Sequence, residues 1–244
     1  MNNNVKMNQL GVELYADGAD INQMVEAYHS GIVSGFTTNP SLMKQAGVTD
    51  YVEFAHQAVA AIPDVPISFE VFSDDLEEME KEATLISHFG THVYVKVPVM
   101  NSLGESTVPL IHKLSQKGIK INATAIFTEQ QVREVTDALD ETTGGIVSVF
   151  AGRIADTGVD PRPLMSKYAD IVHFKPELKL LWASQREVYN VMQAAQTHTD
   201  IITCPPELLK KLTLLGTPLE DYSLATVKRF KADSQALGFS ILSR

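Results

Sequence analysis

Short runs dominated by β-branched, aliphatic and aromatic residues recur down the chain: VELYA from residue 12, GFTT from 35, PISFEVF from 66, VYVKVPV from 93, IKINATAIF from 119, GIVSVFA from 145, KLLWAS from 179 and DIITC from 200. Runs of this length and composition predict strands. Between them the apolar spacing becomes helical. Over residues 74–88, for example, Leu76, Met79, Ala83, Leu85 and Ile86 fall on or near one face. Strand starts recur about every 20 to 35 residues, enough for a strand, a helix and two loops, and eight such units close a barrel. The prediction is a single-domain (β/α)8 TIM barrel. An open doubly wound sheet would carry a Gly-rich loop after its first strand, whereas LYADGAD has one glycine and no GxGxxG. The polar stretch 1–9 is predicted to fray, and 222–237 to form a final helix within a C-terminal helical extension from about residue 219 to 244.

The net charge of −10 comes from acids scattered along the chain, which argues against a nucleic-acid partner and requires any phosphate site to be local. The single cysteine, Cys204, cannot form an intrachain disulfide, and the chain does not open with a charged and then apolar leader; both predict a cytoplasmic protein. Apolar runs such as 145–151 are too short to cross a bilayer, so no membrane partner is expected. The seven histidines lack ligand-type pairing, so no metal is expected, and nothing in the pattern asks for a cofactor. Cys204 reads as a small core residue, and SDDLEEMEKE as a helix start capped by Ser73.

In a barrel, catalytic groups gather at the C-terminal ends of strands. Period-2 alternation turns Val93, Val95 and Val97 toward the helices and Lys96 toward the axis. A lysine in a water-poor interior loses solvation of its charged form, and the neutral amine is a nucleophile able to form a Schiff base with a carbonyl substrate. The strand alone leaves a second reading open, a lysine that snorkels or pairs with a buried carboxylate. Adjacent strands decide between them. Ser68 and Glu70 face inward on the preceding strand, Asn122 and Thr124 on the following one, against Ile121, Ala123 and Ala125. Polar groups on three consecutive strands are hard to explain by packing. Asp17 ends the first strand, Thr38 and Asn39 end the second, and Asp20 reads as a helix cap. Arg153 follows the sixth strand; Ser184 and Arg186 lie where the seventh gives way to a helix, whose N-terminal amide groups would join them in a phosphate site. Read singly, Arg186 is also consistent with a surface ion pair.

The segments LYADGAD, GFTTNPSLM, SFEVF, VYVKVPV, GIKINATAIF, VSVFAGRI, WASQRE and IITCPPELL, in this order, resemble the transaldolase family, and by length its short branch, which includes the fructose-6-phosphate aldolases. The resemblance implies Lys96 as the Schiff-base lysine, Asp17 as the acid/base of carbon–carbon cleavage, and Glu70 with Thr124 holding the catalytic water. It implies Asn39 and Asn122 as substrate-hydroxyl ligands, Arg153, Ser184 and Arg186 as phosphate ligands, sugar phosphates as substrates and a homo-oligomer. Aldolase-type members carry glutamine and tyrosine where this chain has Glu70 and Phe150. A tyrosine hydroxyl would help water release the covalent intermediate, whereas phenylalanine leaves it for an acceptor aldehyde, so transfer is favoured over simple cleavage. The alternatives are a fructose-6-phosphate aldolase releasing dihydroxyacetone, and a non-catalytic sugar-phosphate-binding barrel, which the full set of reactive groups disfavours. The chain departs from the family in the long loop MNSLGEST and at Gln185; such loops line a barrel mouth and set substrate choice.

Overall fold

The computed structural model describes residues 10–242; the fraying predicted for 1–9 lies outside them. The eight predicted strands are present: β1 (Glu13–Asp17), β2 (Gly35–Thr37), β3 (Ile67–Glu70), β4 (Val93–Pro98), β5 (Ile121–Ile126), β6 (Gly145–Val149), β7 (Leu178–Trp182) and β8 (Ile201–Cys204). Each pairs in parallel with its sequence neighbours, and β8 pairs with β1, closing a barrel. The helices are α1 (Ile21–His29), α2 (Pro40–Ala46), α3 (Tyr51–Ala61), α4 (Leu76–Ser87), α5 (Val108–Gln116), α6 (Glu129–Ala138), α7 (Ala151–Asp156), α8 (Pro161–Val172), α9 (Tyr189–Gln196), α10 (Pro206–Lys211) and α11 (Leu219–Ala236). Parallel pairing of consecutive strands requires a crossover between each pair, and the helices supply it. No helix among the described residues is long and apolar enough to cross a membrane.

Local chemistry sets the helix starts. Asp20 accepts from the Gln23 amide at 3.0 Å and caps α1, as its position before the apolar run predicts. Thr128 and Gln131 form a reciprocal capping box on α6. On α4 the cap is Asp75, accepting from the Glu77 and Glu78 amides at 3.0 and 2.9 Å, and not the predicted Ser73. Ser73 instead accepts from the Asp75 amide in the preceding turn, so the helix begins two residues later than 74. Met79, Ala83 and Ile86 are buried beneath α4, while Leu85 is exposed, on the side of the helix away from them.

Two apolar layers result. Val93, Val95 and Val97 join the helix-facing core that runs around the outside of the barrel. Inside, Tyr15, Ile146, Leu181, Ala183 and Ile201 form a separate cluster, with Tyr94 and Phe150 against it. Tyr15 enters this cluster because β2 opens with glycine: a Cβ at Gly35 would lie 2.5 Å from the Tyr15 ring. This cluster reaches Phe150 and Ala183, which lie just beyond the ends of β6 and β7.

Candidate active site

Register brings the central residues together. Glu70 on β3 is aligned with Lys96 on β4, and Lys96 with Asn122 on β5, so three side chains of one layer share an inward face. Lys96 is buried; its Nζ donates to the Thr38 carbonyl at 2.7 Å and lies 3.1 Å from Glu70 Oε2. The ammonium is thus taken out of water but compensated, as a buried charge must be. The Tyr51 hydroxyl donates to the Glu70 carbonyl at 2.7 Å and holds the end of β3.

Asp17 ends β1 and feels the charges of both Lys96 and Glu70. Burial raises its carboxyl pKa above the usual aspartate range; Lys96 and a hydrogen bond from Thr37 oppose that rise, and Glu70 adds to it. Thr37 Oγ1 donates to Asp17 Oδ1 at 2.8 Å and is 2.5 Å from Thr203 Oγ1. An ionised carboxylate only accepts, so the Thr37 proton points to Asp17 and Thr203 donates to Thr37. Two hydroxyls in series therefore stabilise the anionic form.

Asn122 is fully buried with its amide fixed at both ends: Nδ2 donates to Ser68 Oγ at 3.0 Å, and Oδ1 accepts from Ser148 Oγ at 2.6 Å. The Thr124 hydroxyl is buried and makes no hydrogen bond within the described protein. An unpaired buried hydroxyl costs about 1–3 kcal/mol, so its persistence at a strand end suits a ligand-contacting group. The strict alternation predicted for this strand stops just beyond it. Ala125 has φ 57°, the β5–β6 register shifts between Ala123 and Ile126, and Ile126 returns to the core.

The predicted groups on β2 have different local tasks. The Thr38 hydroxyl donates to the Ser68 carbonyl at 3.0 Å, so Thr38 meets Lys96 through its main chain and not its side chain. Asn39 caps α2, Oδ1 accepting from the Leu42 amide at 3.0 Å. The inward residue of this strand is Thr37, which the sequence reading passed over together with Ser148 and Thr203. Each follows from period 2 once Phe36, Val147 and Ile202 are assigned to the helix-facing core.

Across the mouth, the Arg153 guanidinium carbon lies 4.8 Å from the Phe150 ring centroid, in cation–π contact. Arg186 binds Asp156 through two bonds, Nε to Oδ1 at 3.1 Å and a short contact from Nη2 to Oδ2. Arg153 and Asp156 stand one turn apart on α7, so the ion pair draws Arg186 to the helix that carries Arg153. Ser184 adopts a left-handed conformation, φ 61°, with its carbonyl packed on Gly152. A Cβ at Gly152 would sit 1.6 Å from that oxygen, and the Gly152 amide donates to the Ala183 carbonyl at 3.3 Å. The helix N-terminus predicted at Ser184 is displaced: α9 begins at Tyr189, and the Arg186 and Glu187 amides are already accepted by Asn190 Oδ1 at 2.7 and 3.1 Å. Cys204 is buried in the core, as predicted, and its thiol pKa is pushed up by burial.

Among solved structures, the chain is similar to thiamine phosphate pyrophosphorylase from Pyrococcus furiosus, with a TM-score of 0.54 and 12% identity, covering 84% of this chain and 98% of that one. At that identity the likeness concerns the barrel fold alone. Two curated relatives are closer in sequence, both described as "Probable transaldolase". One, from Thermoanaerobacter sp., is 33% identical over 94% of this chain and 100% of its own length. The other, from Dehalococcoides mccartyi, is 32% identical over 91% and 97%. The family described as Transaldolase/Fructose-6-phosphate aldolase matches residues 14–241, a span from β1 to beyond α11 that takes in every group placed above. The chain belongs to the transaldolase/fructose-6-phosphate aldolase family.

Proposed function

We propose that the protein is a cytoplasmic transaldolase that moves a dihydroxyacetone unit from a ketose phosphate, such as fructose 6-phosphate or sedoheptulose 7-phosphate, to an aldose phosphate. The observation that carries this reading is the buried Lys96 ammonium with Glu70 at 3.1 Å and Asp17 within electrostatic reach. Lys96 Nζ, after giving up a proton, attacks C2 of the ketose, and loss of water yields the iminium. Glu70, 3.1 Å from Nζ, and the buried Thr124 hydroxyl are assigned to hold that water. Asp17 takes the proton of the C4 hydroxyl, the C3–C4 bond breaks, and its electron pair passes into the iminium to form an enamine. The released aldose phosphate leaves. The acceptor aldehyde then forms a new bond to C3, its oxygen regaining a proton from Asp17, and hydrolysis of the iminium frees Lys96. Asn122, held at both ends, offers a fixed amide to the three-carbon unit, and Asn39, the cap of α2, is assigned to the substrate hydroxyls. Arg153, Ser184 and Arg186 are assigned to the phosphate, Phe150 packs beside the intermediate, and the subunits associate through α11.

Borohydride reduction in the presence of fructose 6-phosphate, followed by peptide mapping, is expected to find a reduced three-carbon or six-carbon adduct on Lys96 alone. Absence of that adduct on folded protein removes the mechanism. Without an acceptor, free dihydroxyacetone should accumulate slowly; its rapid release would move the assignment to the aldolase branch.

A further inference from the structure

We propose that Asp156 is a specificity-determining residue that competes with the substrate phosphate for Arg186, holding affinity for phosphorylated sugars below what the arginines alone would give. This rests on the phosphate role assigned above to Arg153 and Arg186. Three observations carry it. Asp156 occupies the Nε–Nη2 edge of Arg186, the edge through which arginine binds carboxylate or phosphate side-on. Both side chains are about half exposed, at 51% for Asp156 and 49% for Arg186, so an incoming anion reaches the pair from solvent. The backbone beneath Arg186 is fixed by Asn190, so only the far end of the side chain is free to exchange partners.

The magnitudes decide the direction of the effect. An exposed ion pair shifts an equilibrium by at most a few-fold, so opening it opposes the ligand only weakly, and the organisation it lends to Arg186 is worth equally little. Because the carboxylate lies against the guanidinium, a dianion that binds Arg186 at another edge still meets its charge, and that repulsion outweighs the gain in organisation. Asp156 also stands one turn from Arg153 on α7, so it opposes the charge of both cations. The resting site thus holds an internal anion that every phosphate must displace or tolerate. Ketoses without a phosphate are untouched by it.

The test compares Asp156→Asn, which keeps the shape and one acceptor but removes the charge, with the full-length unmodified enzyme. The expected result is a KM for fructose 6-phosphate and an inhibition constant for inorganic phosphate both lower by roughly 3- to 10-fold, with kcat changed less than about two-fold and kcat/KM for unphosphorylated fructose unchanged. Added salt should shrink the difference. Asp156→Ala should move both constants in the same direction. A KM for fructose 6-phosphate that is unchanged or raised in both variants overturns the inference. Arg186→Ala separates the two layers of argument. If it impairs phosphorylated and unphosphorylated donors equally, the phosphate reading itself fails; if it is selective while Asp156→Asn is silent, only the role of Asp156 fails.

Discussion

Asp17 is held by opposing forces. Burial and the Glu70 charge favour its neutral form, while Lys96 and the Thr37 hydroxyl favour the anion. Its carboxyl pKa lies above the ordinary 3.8, so a reaction that needs the carboxylate as base loses rate as pH falls through that raised value. Thr37→Val removes the hydrogen bond that favours the anion, and the value should rise further. The acid limb of kcat/KM should therefore move to higher pH, with the loss of rate falling on the acid side of the profile, since a hydrogen bond to a charged group contributes about 1.5–3 kcal/mol. A pH–rate profile of Thr37→Val that overlays the unmodified one would show that the Thr203–Thr37 chain does not tune Asp17. The residues that alternation exposes best are those on undistorted strands. Glu70, Lys96 and Asn122 were legible because three aligned strands keep strict period 2 there. Thr203 was not, because Ile201 and Ile202 are both apolar and mark neither face; its partner Thr37 lies 166 residues away in sequence.

Between elements, the decisive contacts are backbone on backbone, which a hydrophobic pattern does not encode. The first turn of α7 and the loop after β7 touch through Gly152 and Ser184, with no room for a methyl group. Gly152→Ala must separate them by moving main chain, and the expected cost is about 3 kcal/mol, at the upper end of overpacking penalties. Thermal or urea unfolding reads it directly, and a midpoint equal to that of the unmodified protein would count against a rigid junction. The same junction explains why the surroundings of Arg153, Ser184 and Arg186 were only partly readable. VFAGRI and WASQRE supply the residue types, but the left-handed Ser184 delays α9 to Tyr189 and hands its first free amides to Asn190. Likewise the left-handed Ala125 breaks β5 where alternation alone continues it. Element order and strand identity were legible from periodicity; these departures come from single φ angles and from partners remote in sequence, such as Asp156 and Arg186.

At the scale of the whole molecule, α11 has chemistry that the barrel does not use. It runs from Leu219 to Ala236 with no buried residue, yet Leu219, Tyr222, Val227 and Phe230 repeat at helical spacing and are 83%, 49%, 60% and 60% exposed. An 18-residue helix gains little stability by itself in water, and most helical stability comes from packing of an apolar face. The homo-oligomer proposed above would seat this stripe against another copy of the chain. Light scattering coupled to size exclusion should therefore give the full chain a mass that is a multiple of its own 26.8 kDa. Removal of residues 218–244 should lower that mass while leaving the barrel's helical circular dichroism and its thermal transition, because no side chain of α11 is part of the core. Lys96, Asp17, Glu70, Arg153 and Arg186 all lie before residue 190, so the truncated protein should also still be trapped by borohydride on Lys96. A full chain that runs as a monomer at micromolar concentration would leave the apolar stripe without the partner assigned to it; a truncated chain that unfolds would place α11 in the folding unit instead of between subunits.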